Sequence, residues 1–202
     1  MPRAVEIQKL LAKNYTPVDR TEHIRWIVIH TMEAPEKPDT AEAVARWFAS
    51  EGAPGASAHF CVDCDSIVEC VPPSLIAWHA KGGNKLGIGI ELAGRAGQGP
   101  EGWGDAYSRE TLANAAWLCG QLAKQYDIPP RRLTDDEIRG GVAKGFVGHG
   151  DISRAKRIVG GHWDPGPDFP WAQFLLGVEG LLTVEPPEWL TRYMRETYGV
   201  GA

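Results

Sequence analysis

Ile24-Arg25-Trp26-Ile27-Val28-Ile29-His30 is the stretch on which the reading of this chain turns. It is rich in β-branched and aromatic residues and shows no helical spacing, so it reads as a buried strand. It ends on a histidine, and open α/β sheets gather ligand-binding groups at the carboxyl ends of their strands. Working outward, Gly87 to Leu92 (GIGIEL) reads as a second apolar strand and Phe146 to His149 as a short one that also ends on histidine. His59 to Asp63 and Ile67 to Val71 read as two short strands joined by a turn through Cys64 to Ser66.

Helical patterns are interleaved with these strands. Asp39 is placed to cap a helix that runs to about Ser50, with Glu42 completing a capping box and Val44, Trp47 and Phe48 forming the apolar face. Ser108 starts the longest helix, with Leu112, Ala115, Ala116, Cys119 and Leu122 at helical spacing and Pro129 beyond its end. Thr134 and Glu137 make a second capping box. Pro170 opens a helix to about Leu182. After Pro186 and Pro187, Glu188 to Tyr198 reads as a last amphipathic helix closed by Gly199. Met1 to His23 reads as an irregular arm with one helical turn around Val5 to Ala12, and Gly94 to Asp105 as a mobile glycine-rich loop. The alternation favours an α/β domain with a central mixed β-sheet flanked by helices. The expected division is an arm over 1–23, a main domain over 24–182 and a helical extension over 183–202.

The 202 residues suit one domain with a small appendage. Apolar residues at 43% are enough for a core, and 24 glycines and 15 prolines point to long loops that carry function. A net charge of −5 argues against a nucleic-acid partner. No stretch is apolar enough to cross a bilayer, so no membrane partner is expected. Met1 to Arg20 has no apolar leader segment, so synthesis in the cytoplasm is expected, with Cys61, Cys64, Cys70 and Cys119 as reduced thiols.

The chemistry lies in His30, His149-Gly150-Asp151 and His162-Trp163-Asp164-Pro165-Gly166-Pro167. His30, His149 and Asp164 offer two imidazoles and a carboxylate, a three-ligand set of the kind that holds a catalytic zinc and leaves a fourth position for water. Each also has a plainer reading. A histidine at a strand end is commonly a hydrogen-bonded structural residue, and Asp before Pro-Gly is commonly a turn former. No compact motif ties the three together. Cys61 and Cys64 form a CxxC, but Glu33 is one place too far from His30 and Phe60 stands where a zinc deaminase needs proline. Gly82-Gly83-Asn84-Lys85-Leu86 lacks the order of a phosphate-binding loop.

Six blocks in order resemble the type 2 family of zinc-dependent N-acetylmuramoyl-L-alanine amidases, which includes phage lysozyme-type amidases, bacterial muropeptide amidases and animal peptidoglycan recognition proteins. They are Trp26 to Thr31, Ser57 to Phe60, Ala77 to Ala80, Gly87 to Leu92, Gly148 to Asp151, and Asp164 to Pro167 with Phe169 and Trp171. The resemblance implies the type 2 amidase fold, with one Zn2+ held by His30, His149 and Asp164 in a groove for bacterial peptidoglycan. It further implies hydrolysis of the amide between N-acetylmuramic acid and L-alanine, by a monomer.

Within that resemblance, Glu91 matches a glutamate that faces the zinc and handles protons. On residue type alone it is equally an exposed carboxylate on the polar face of an edge strand. His162 stands where relatives carry a lysine that steadies the oxyanion. An imidazole fits that role with a pH-dependent charge, and the alternative is that His162 replaces His149 as a ligand. Ala58 stands where some branches carry a catalytic tyrosine, which gives Glu91 more of the proton transfer. His79 matches a position near the substrate, Trp78 lies in a loop near the proposed site, and Asn84 offers a hydrogen bond to a peptide carbonyl or is simply solvated at the surface. Arg154, with Lys156 and Arg157, offers charge to stem-peptide carboxylates, or is a solvated loop face. His59 is a core histidine or a support for a ligand. Trp26, Trp47 and Trp117 read as core. The setting expected is a phage endolysin that reaches the host wall after release. The alternatives are a cytosolic muropeptide-recycling amidase and a peptidoglycan-binding module without catalysis.

Overall fold

The computed structural model describes residues 7–53 and 55–182. In chain order they form β1 (Ile7–Lys9), β2 (Tyr15–Thr16), β3 (Trp26–Thr31), α1 (Thr40–Ala49), β4 (Phe60–Val62), β5 (Ile67–Glu69), β6 (Ile76–Ala77) and β7 (Gly87–Leu92). There follow α2 (Pro100–Trp103), α3 (Ala106–Tyr126), α4 (Asp135–Gly140), β8 (Gly145–Gly148), α5 (His149–Ala155) and α6 (Trp171–Leu182). The helix expected over Glu188 to Tyr198 lies outside the described residues.

β3 is buried along its whole length, which a strand achieves only when both faces of its sheet are covered. It runs parallel to β7 on one side and β8 on the other, in a six-stranded sheet ordered β1-β5-β4-β7-β3-β8. The β4–β5 pair is antiparallel, so the sheet is mixed, as the sequence suggests. Side chains alternate between faces. Ile27 and Ile29 of β3 and Ile88, Ile90 and Leu92 of β7 join one core with α3 and α6, whose Ala115, Leu118, Leu122, Phe174 and Val178 complete it. Each fully buried isoleucine or leucine there contributes roughly 1.5–3 kcal/mol. Trp26 and Val28 face the other way and pack with Val147, Ile138 and Ile152 beneath α4 and α5. His30 shares that second face, as do Gly87, Gly89 and Glu91 of β7.

Because β3, β7 and β8 are parallel, their carboxyl ends reach one edge together. Register pairs His30 with Glu91 and Ile29 with Gly148, so His149, the next residue, stands level with His30. β8 stops at Gly148, and His149 opens α5 instead of ending the strand. The Asp151 carboxylate accepts the Gly148 N–H at 2.7 Å and fixes this corner.

Other expectations shift locally. The helical turn expected around Val5 to Ala12 is, over its described part, strand β1, which pairs parallel with β5. Pairing across so long a chain separation leaves no local periodicity to read. Asp39 precedes α1 but makes no side-chain cap, while Glu42 accepts a hydrogen bond from Gln8 at 2.9 Å. α3 begins two residues before Ser108, and Asp105 caps it by accepting the Ser108 N–H. The Thr134–Glu137 capping box is present. The Gly94 to Asp105 segment contains α2. All four cysteines are free thiols. Among the described residues no helix is long and apolar enough to cross a membrane.

Candidate metal centre

His30 Nδ1 lies 3.0 Å from Asp164 Oδ2, and His149 Nδ1 lies 3.3 Å from Asp164 Oδ1. One donor atom from each of the three falls within 4.8 Å of the others, and all three residues are buried. The sequence separates His30 from Asp164 by 134 positions, and two local devices close the gap. Gly150 N–H donates to the Asp164 carbonyl at 2.8 Å and ties the two ligand segments together. Gly166, at φ +90°, lies so close to Ala96 that a Cβ there would overlap the Ala96 carbonyl oxygen. Only glycine fits that backbone and that space.

The donor set suits a divalent metal. Two imidazole nitrogens and one carboxylate converge, and each carboxylate oxygen faces an imidazole nitrogen. Burial pulls His30 below the ordinary imidazole value, against the opposing pull of Asp164. Burial raises the Asp164 carboxyl, but the adjoining His149 and His30 imidazoles outweigh it and hold the group well below the usual carboxylate range. The other cluster of potential ligands among the described residues is Asp63, Cys64 and Asp65. There the Asp63 carboxylate is engaged with the backbone N–H groups of Ala41, Asp65 and Ser66.

Glu91 leaves β7 beside the triad, with Oε1 at 4.0 Å from His30 Nδ1. Its carboxyl is raised well above the ordinary value, first by burial and then by the Asp164 charge. It is therefore a site-facing carboxyl on the glycine-bearing face of its strand, not a solvated one. His162 stacks on His149 with ring centroids 4.2 Å apart and planes 14° apart, and its Nδ1 lies 3.7 Å from Asp164 Oδ1. Its side chain is 68% exposed, so it stands over the triad while His149 occupies the buried ligand position.

A groove of about 690 Å³ opens onto these groups and is walled by Trp47, Trp78, Lys81, Ile158 and Val159. Trp47 is 51% exposed on that wall and does not belong to the core as its spacing suggests. Trp78 is on the same wall, and its indole N–H donates to Thr16 Oγ1 at 2.9 Å. His79 borders the groove with its Nδ1 at 3.0 Å from His30 Nε2. Asn84 is turned to its own loop, where Oδ1 accepts the backbone N–H groups of His79 and Ala80 at 3.1 and 2.6 Å. Arg154 pairs with Asp135 and Asp151, and it lines an adjoining cavity of about 660 Å³ that includes Trp163 and Trp171 and shares His162 and Asp164 with the groove.

Two residues at the site carry no sequence signal that marks them. Glu33, at φ 52°, lines the groove and accepts hydrogen bonds from Thr31 Oγ1 and Ala96 N at 2.7 Å each. Arg20 is buried behind the site, donates to the Leu75 carbonyl at 2.7 Å and lies 2.8 Å from His59 Nε2. Burial lowers its guanidinium to about 10. His59 accepts the Gly89 N–H at Nδ1, 2.9 Å away, and so braces β7 from within.

A mostly parallel sheet gathers two histidines and a carboxylate, residue types that could hold a metal ion, near its carboxyl edge. The chain belongs to the N-acetylmuramoyl-L-alanine amidase family, whose pattern matches residues 20–167. It thereby has the activity of an N-acetylmuramoyl-L-alanine amidase, with peptidoglycan as substrate. It is 28% identical over 163 residues to N-acetylmuramoyl-L-alanine amidase A of Achromobacter lyticus, covering 76% of this chain and 82% of that protein. Among solved structures it resembles the Staphylococcus aureus hydrolase AmiA in complex with its ligand, at 18% identity and a TM-score of 0.66, covering 89% of this chain and 84% of that one. It also resembles PlyL, at 19% identity and a TM-score of 0.61, covering 86% and 97%. These likenesses match the fold expected from the sequence.

Proposed function

We propose that this amidase is zinc-dependent and that His30, His149 and Asp164 hold the ion. The observation that carries the reading is the convergence of their donor atoms within 4.8 Å, with Glu91 at 4.0 Å from His30. Zinc, when bound, supplies polarisation of the scissile carbonyl and a water of lowered pKa.

The remaining work falls to this chain's side chains. Glu91 takes the proton of the attacking water at its carboxylate and returns it to the nitrogen of the departing L-alanine. The His162 imidazole, stacked on His149 and open to the groove, donates a hydrogen bond to the oxygen on which charge develops. Trp47 and Trp78 offer apolar faces to the sugar ring or the stem peptide. His79, Asn84 and Arg154 are proposed as residues that shape the substrate site. Their contacts favour indirect roles, through His30 for His79, through the loop for Asn84, and through Asp135 and Asp151 for Arg154.

The proposed setting is an endolysin of phage origin acting on the host wall as a monomer. In support, one neighbour of similar fold is a mutant endolysin from Bacillus subtilis, at 20% identity and a TM-score of 0.54. Digestion of purified peptidoglycan with and without a chelator, with mass spectrometry of the new termini, tests the chemistry. Free L-alanine amino termini should appear only with metal present. Binding without release would instead identify a non-catalytic module. Intact sacculi compared with soluble muropeptides separate wall lysis from recycling.

A further inference from the structure

We propose that His79 is a positioning residue that sets the tautomer of His30, leaving the His30 Nδ1 lone pair aimed at the metal position. The inference rests on the reading of His30, His149 and Asp164 as metal ligands.

The assignment follows from donors and acceptors. His79 Nε2 lies 3.1 Å from the Gly87 carbonyl. A carbonyl only accepts, so Nε2 carries the proton. In a neutral imidazole the other nitrogen is then bare. That nitrogen, His79 Nδ1, is 3.0 Å from His30 Nε2, so His30 Nε2 is the donor. A neutral His30 is then bare at Nδ1, which lies 3.0 Å from Asp164 Oδ2. Two lone pairs facing each other at that distance repel, and a cation beside both turns the repulsion into ligation. The opposite tautomer would place a proton on Nδ1, donate it to Asp164, and remove the nitrogen from the ligand set.

The fold is shaped to hold His79 in this position. A Cβ on Gly89 would lie 2.5 Å from His79 Cγ and 2.7 Å from its Nδ1. A Cβ on Gly87 would lie 3.3 Å from His79 Cε1. Glycines on the site-facing side of β7 therefore make the slot in which the ring lies. The Asn84 side chain fixes the backbone at His79 and Ala80 from the other side. The His59 ring meets His79 edge-on at 5.4 Å. The path Gly87 carbonyl, His79, His30, metal position thus orients the ligand through its second nitrogen, a device that raises metal affinity in other proteins.

Long-range 15N correlation spectra of the metal-free 202-residue chain read the tautomer directly. His30 protonated on Nε2 is expected, and His30 protonated on Nδ1 overturns the proposal. Zn2+ affinity, measured by competition with a chelator, should fall by about 10–100-fold in His79→Leu. His79→Asn, whose Oδ1 accepts near the position of Nδ1, should recover most of it. Wild-type affinity in His79→Leu, or an equal loss in both variants, also overturns the proposal. A wild-type chain that binds no Zn2+ would remove the metal reading, and the tautomer, measured without metal, would still decide the relay.

Discussion

His30 and Glu91 are register partners on neighbouring parallel strands, and their side chains leave the same face of the sheet to bring Nδ1 within 4.0 Å of Oε1. The proposed ligand and the proposed proton-transfer group are thus fixed to each other by sheet hydrogen bonds, not by a loop. Strand-borne groups hold their geometry closely, and catalysis depends on that geometry.

This pairing predicts how Glu91 fails. Glu91→Ala should retain its zinc and lower the hydrolysis rate by at least about 100-fold, the scale of a lost general acid–base group. Zinc content by elemental analysis and release of L-alanine amino termini check the two halves separately. A nearly wild-type rate would remove Glu91 from the mechanism.

His162 stands over the triad without occupying it. His162→Ala should keep zinc and lose about 100–1,000-fold in kcat, the usual effect of deleting an oxyanion donor. His162→Lys should retain most of the activity, because an ammonium supplies the same donor. An indifferent His162→Ala would argue against the role.

Away from the site, Glu137 gives a pH-dependent stability term. Its hydrogen bonds with Arg131, together with the Thr134 backbone, lower its carboxyl from 4.5 to about 2. A depressed folded value means stability that is present above the unfolded value of 4.5 and is lost as pH falls toward 2. Glutamine still closes a capping box, so Glu137→Gln isolates the charge. Its melting temperature should lie slightly below wild type at neutral pH, because the pair is exposed. The gap should close as pH falls through that window. A gap that persists at pH 2 would assign the effect to packing instead.

Much of this architecture is legible in the sequence because the signals are local. Trp26 to His30 and Gly87 to Leu92 announce buried strands by composition, and Thr134 with Glu137 announces a helix start. His30, His149 and Asp164 are legible as ligand types, but their convergence depends on the parallel register of β3 and β8 and on the Gly150 tie to the Asp164 turn, which spacing alone does not encode. β1 escapes notice because its pairing with β5 is distant in sequence. α5 escapes because glycine, not Ser, Thr or Asp, precedes it. Asn84 has the chemistry of a substrate contact, yet its side chain holds the His79 loop, and nothing in residue type separates the two. Trp47 sits at a core-like spacing, but α1 turns it toward the groove.

Whether His30, His149 and Asp164 share one ion is decided by anomalous diffraction at the zinc edge from crystals grown with zinc. One peak is expected about 2.0–2.2 Å from His30 Nδ1, His149 Nδ1 and an Asp164 carboxylate oxygen. No peak at that point, or a peak only among Asp63, Cys64 and Asp65, would contradict it.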